Sequence, residues 1–71
     1  MMYKYSDLVE AKRQIDSTLN KLRETVKTFD AKENPAKYKS QITLAKRRIE
    51  AFEISVFLIE KELNEFNTKM E

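Results

Sequence analysis

The chain has 71 residues, 37% of them charged, a net charge of +2, and no cysteine, histidine or glycine. These absences exclude a disulfide framework, thiolate or imidazole chemistry, and the glycine turns used by tight hairpins and phosphate-cradling loops. A chain this short sits near the lower limit for a self-sufficient core, and without disulfide or histidine–cysteine metal chemistry a second copy is the remaining way to stabilise it.

The first apolar stripe runs Tyr5, Leu8, Ile15, Leu19, Leu22, Val26, Phe29. Written as heptads it places Tyr5, Lys12, Leu19 and Val26 at one core position and Leu8, Ile15, Leu22 and Phe29 at the other. Asp7 is the expected N-cap, with Glu10 as its reciprocal partner three residues on and Ser6 as the competing cap. Lys12 is the one polar intruder in the stripe. It either fixes register or snorkels to water near an open end.

The stripe lapses through Asp30-Ala31-Lys32-Glu33, and Asn34-Pro35 restarts a helix. Asparagine is a good N-cap and proline suits the first helical position. The prediction is an all-α antiparallel helical hairpin: helix 1 near 7–30, a turn near 31–34 and helix 2 near 35–69, in a single domain. With the turn centred at 32–33, facing positions add to about 65. Leu8 then falls near Val56 and Tyr5 near Ile59 or Glu60, and Leu63, Phe66 and Met70 overhang the end of helix 1.

Helix 2 carries an unbroken seam, Tyr38, Ile42, Ala45, Ile49, Phe52, Val56, Ile59, Leu63, Phe66 and Met70, in alternating steps of four and three. That is the pattern of one helix packed along another. Ile54, Phe57 and Leu58 lie off this seam, and one partner helix cannot cover both groups. A faint second stripe of Leu44, Ala51 and Leu58 recurs every seventh residue. The β-branched run from Ile54 to Ile59 has local strand character, which the helical seam on either side outweighs. The surplus apolar surface predicts a homodimer, two hairpins forming a four-helix bundle or antiparallel coiled coil. The expected interface holds Phe52, Ile54, Phe57, Leu58, Leu63 and Phe66. The mixed core residues leave dimer and higher bundle open.

Charge along helix 2 is uneven. Lys37, Lys39, Lys46, Arg47 and Arg48 come with no acid between Pro35 and Arg48, whereas Glu50, Glu53, Glu60, Glu62, Glu65 and Glu71 dominate the rest. This order opposes the helix dipole. It suits two antiparallel copies of helix 2, each basic half beside an acidic one. The alternative is that the five basic residues, beside Tyr38, contact nucleic acid, although no recognised fingerprint is present.

Nothing points to an enzyme. No base serves a nucleophile, and the spaced glutamates Glu50/Glu53 and Glu62/Glu65 are ordinary for a charged helix surface. No cofactor, metal or small-molecule substrate is expected. The function that follows is a non-enzymatic protein–protein interaction module, an adaptor, assembly factor or inhibitor, with a further protein partner open and a small dimeric nucleic-acid regulator as the alternative. No segment approaches the roughly 20 apolar residues that span a bilayer, and the first residues lack a signal peptide's layout, so a cytoplasmic location without membrane contact is expected. The abundance of Lys, Asn, Ile, Phe and Tyr fits the AT-rich genomes of many bacteria and phages.

Overall fold

A computed structural model describes residues 3–70, apart from the side chains of residues 35 and 68–70. It is a helical hairpin of 54 × 18 × 15 Å. Helix α1 spans Tyr5–Asp30, a single 3-10 turn spans Pro35–Tyr38, and helix α2 spans Lys39–Met70. The two helices pack against each other along their length.

The start of α1 differs from the prediction. The N-cap is Lys4, and Asp7 sits in the first turn, where its Oδ2 accepts the Lys4 backbone N–H at 3.0 Å. A carboxylate reaching back from the third helical position satisfies an orphan N–H and complements the positive end of the helix dipole. Neither Asp7 nor Ser6 is the cap, and Glu10 is free of any capping duty. Glu10 instead accepts from Arg13 Nε and Nη2 at 2.9 and 2.7 Å and from Gln14 Nε2 at 2.9 Å. These bonds, Arg13 first, lower the Glu10 pKa from 4.5 to about 2.

Because that pKa is depressed, any stability it contributes is present above about 4.5 and is lost as pH falls through about 2. An NMR titration should find the Glu10 midpoint near 2 in the native chain and closer to 4.5 in Arg13→Ala. An unshifted native midpoint would show that the exposed cluster is not held in solution.

The turn also differs. Backbone bonds from Ala31 N–H to the Lys27 carbonyl (3.1 Å) and from Lys32 N–H to the Phe29 carbonyl (3.2 Å) close α1. The Asn34 carbonyl then accepts from Lys37 at 3.1 Å, and the Asn34 side chain makes no cap bond. The first turn of the predicted second helix is therefore 3-10, and Tyr38 stacks on Phe29 with centroids 4.9 Å apart.

That turn moves the pairing of the helices along by about one heptad. Tyr5 meets Phe66 edge-on at 5.9 Å, where the prediction had it near Ile59 or Glu60. Extending this register, Leu19 falls level with Phe52 and Val26 level with Ala45. Leu63 and Phe66 consequently lie alongside α1 and do not overhang it. Met70, the last predicted seam member, has its side chain outside the described residues.

The seam itself is as predicted. Tyr38, Ile42, Ile49, Phe52, Val56, Ile59, Leu63 and Phe66 are half-buried and Ala45 is buried. On α1, Leu8, Ile15, Leu22, Val26 and Phe29 are half-buried, Leu19 is buried and Tyr5 is exposed. Leu19, at 3% exposure, and Ala45, at 6%, are the two buried apolar residues among the described residues. Two helices enclose only the line of contact between them, so the core is one residue wide.

Lys12 takes part in the contact between the helices. Its Nζ lies 3.0 Å from Asp16 Oδ2 and 3.9 Å from Glu60 Oε1 across the interface. Asp16 above all, with Glu60 contributing, raises the Lys12 pKa. A half-buried lysine at a core position costs stability relative to leucine and rewards the register that brings it to an acid. Lys12→Leu should therefore raise the melting temperature by roughly 5 °C, the effect of about 1 kcal/mol in a chain of this size. A thermal scan by circular dichroism measures it, and a lower melting temperature would mean that the acidic partners outweigh the burial of leucine.

Candidate interaction surface

Residues about 100° apart per step on an α-helix place Ile54 opposite the α2 seam, with Phe57 and Leu58 on either side of it. The run from Ile54 to Ile59 is helical throughout, and the Ser55 hydroxyl donates to the Ala51 carbonyl at 3.0 Å. Ile54, Phe57 and Leu58 are 53%, 66% and 56% exposed. Leu44 and Ala51 are exposed on the same outer side. The outer face of α2 is thus apolar at its centre and has no cover from α1.

The six predicted interface residues fall into two groups. Ile54, Phe57 and Leu58 form this outer surface. Phe52, Leu63 and Phe66 belong to the seam with α1, where they are half-buried. One heptad of register accounts for Leu63 and Phe66, which the shorter predicted turn had left beyond the reach of helix 1.

Phe57 also borders a shallow groove between the helices. Asp16, Leu19, Arg23, Glu53, Val56 and Glu60 line the same groove. Arg23 Nη2 bonds Glu53 Oε2 at 3.1 Å across it. Towards the turn the groove continues past Val26, Lys27, Lys46 and Ile49. The turn side also holds Glu24, paired with Lys27 at 3.3 Å, and has a basic excess, whereas the side of Asp16, Glu53 and Glu60 has an acidic one. The cross-helix pairs Arg23–Glu53 and Lys12–Glu60 escaped sequence reasoning because they depend on register. The four-residue spacing of Lys12 and Asp16 was a readable signal for theirs.

Lys37, Lys39, Lys46, Arg47 and Arg48 are all exposed. The fold does not gather them on one side. Lys39 and Lys46, seven apart, share a strip, whereas Lys46, Arg47 and Arg48 point in three directions about 100° apart. Lys37 Nζ lies 5.9 Å from the centre of the Tyr38 ring. The stacking of Tyr38 on Phe29 occupies a face that a nucleic-acid base would need. On α1, Lys21, Arg23 and Lys27 also lie towards the turn, so the turn end of the hairpin stays basic, and Glu60, Glu62 and Glu65 keep the open end acidic.

Among the described residues no three acidic side chains converge as a metal site. No described helix is long and apolar enough to cross a membrane. No protein-family model matches the chain, and no curated protein or solved structure is significantly similar to it.

Proposed function

We propose that this protein is a non-enzymatic protein–protein interaction module that works through the outer face of α2 and self-associates, two hairpins making a four-helix assembly. The observation that carries this reading is the exposure of three adjacent large apolar side chains, Ile54, Phe57 and Leu58, on a hairpin whose own core is one residue wide. Covering the exposed parts of these three would gain about 3–5 kcal/mol per chain. A small domain's whole net stability is about 5–15 kcal/mol, so this gain is large on the scale of the fold. It is also comparable with the cost of bringing two molecules together, which makes the association dependent on concentration. An adaptor, assembly factor or inhibitor would use such a face to hold another helix.

The test is light scattering during size-exclusion chromatography over a range of about 1–500 μM, which brackets micromolar affinity. The expected mass rises from the 8.5 kDa of one chain towards twice that value. A mass fixed at one chain throughout would overturn self-association. Nucleic-acid binding has less support, because the basic side chains ring α2 and do not line one face.

A further inference from the structure

We infer that the occupant of the outer face of α2 is the α2 of a second copy, running antiparallel, with Ile54 of each chain against Leu58 of the other. This rests on the reading just given and adds the partner's α2 as the occupant, its direction and its register.

The face follows from where the uncovered apolar groups lie. Ile54 is opposite the seam that α1 occupies, so a helix packed on it sits across α2 from α1. The assembly is then a layer with the two α2 helices inside and the two α1 helices outside. In a square bundle both helices of each hairpin would offer apolar flanks to the partner. The outer surface of α1 offers little of that kind, Val9 being its exposed large apolar residue away from the seam, with Tyr3 just before the helix.

Direction and register follow from one stripe. Arg47, Ala51, Ile54, Leu58, Lys61 and Glu65 are exposed and recur at steps of four, three, four, three and four. That spacing reads the same in both directions, so an antiparallel copy can interlock with it. Matching Ile54 to Leu58 brings Arg47 opposite Glu65 and lays the Lys61 stem over Ala51. Sliding by one heptad would put Arg47 against Leu58 and Lys61 against Leu44. A parallel pair in register would oppose Arg47 to Arg47, Lys61 to Lys61 and Glu65 to Glu65. Like charges in contact are destabilising, and flanking charges of this kind select orientation between helices. The basic turn end and acidic open end of each hairpin add the same preference at longer range.

The chain has no cysteine, so single cysteines report the arrangement directly. Ala51→Cys and Lys61→Cys leave Arg47, Ile54, Leu58 and Glu65 in place. Facing positions on packed helices come close to the roughly 4.4–6.8 Å Cα separation that a disulfide requires. The two variants are mixed at high concentration and oxidised, with light scattering on the same reduced mixture. The expected product is the mixed disulfide, in clear excess over either homodisulfide. Homodisulfides in excess would overturn the antiparallel direction while leaving self-association standing. A dimeric mass without cross-linking at these positions would overturn the face and register alone. A monomeric mass would overturn both this inference and the reading beneath it. As a second measurement, Arg47→Glu should weaken self-association by up to about tenfold at low salt, and Arg47→Glu with Glu65→Arg should restore it. No restoration would contradict the facing of those two residues.

Discussion

Leu19→Ala should leave the hairpin largely unfolded at 25 °C. Leu19 is 3% exposed, and Ala45 is the only other buried apolar residue among the described residues. Truncating a buried leucine costs about 2–5 kcal/mol, through lost burial and the cavity left behind. In a core one residue wide no neighbouring layer supplies side chains to refill the space. The stability available to a chain of this size lies at or below the lower end of about 5–15 kcal/mol, so the loss consumes most of it. Helical circular dichroism at a few micromolar should fall to near the unfolded signal, or the melting temperature should drop by about 8 °C or more, since about 1 kcal/mol corresponds to some 4–8 °C. Ser17→Ala, exposed on the same helix, should lie within about 0.5 kcal/mol of the native chain. A Leu19→Ala variant that melts with the native chain would mean that Leu19 is not the keystone of the contact between the helices.

Phe57→Glu should have the opposite profile. Phe57 is the most exposed of the large apolar residues, so the hairpin loses little when it changes. Helix content at high dilution should persist, with stability within about 1 kcal/mol of the native chain. Association should suffer heavily, because a carboxylate placed beside Ile54 and Leu58 must be stripped of water or keep the helices apart. A loss of at least a hundredfold in affinity is expected, equivalent to about 2.8 kcal/mol. Size-exclusion chromatography at high concentration reads it as a shift to the elution volume of a single chain. A variant that elutes with the native chain at every concentration would remove Phe57 from the interface.

Both variants test features that were legible in the sequence. The seam from Tyr38 to Phe66 and the stripe from Leu8 to Phe29 could be read residue by residue, because burial on one face of a helix imposes its own period. The outer position of Ile54, Phe57 and Leu58 followed from the same arithmetic. Register did not. A slip of seven residues returns the same side chains to the same face, so a heptad pattern alone cannot tell Tyr5 against Ile59 from Tyr5 against Phe66. The conformation of the turn made that choice. Asn34-Pro35 announced a helix start, and the first four residues are a 3-10 turn that brings Tyr38 onto Phe29. The first cap was misplaced for a related reason. Asp7 can cap from its own position or reach back from the third, and the order Asp7, then Glu10, fits both roles. The Lys4 N–H donates to the Asp7 carboxylate, and the helix therefore begins at Tyr5.

Charge told a similar story. Its uneven distribution along α2 was visible as sequence, yet whether α1 would cancel it depended on the fold. Lys21 and Lys27 lie towards the turn, so α1 does not cancel the basic start of α2. Two charged pairs, Arg23–Glu53 and Lys12–Glu60, tie α1 to the more acidic part of α2. Both are partly exposed, so they guide the register of the hairpin more than they stabilise it.

The most direct test of self-association through the outer face of α2 is a methyl NMR dilution series on the native chain. Ile54, Leu58 and Leu44 report the outer face, and Leu8, Ile15 and Leu22 report the seam with α1. Self-association through this face should move the outer-face signals with concentration along a common binding curve while the seam signals hold still. Outer-face signals that do not change from micromolar to millimolar concentration, or changes confined to the seam or the turn, would contradict it.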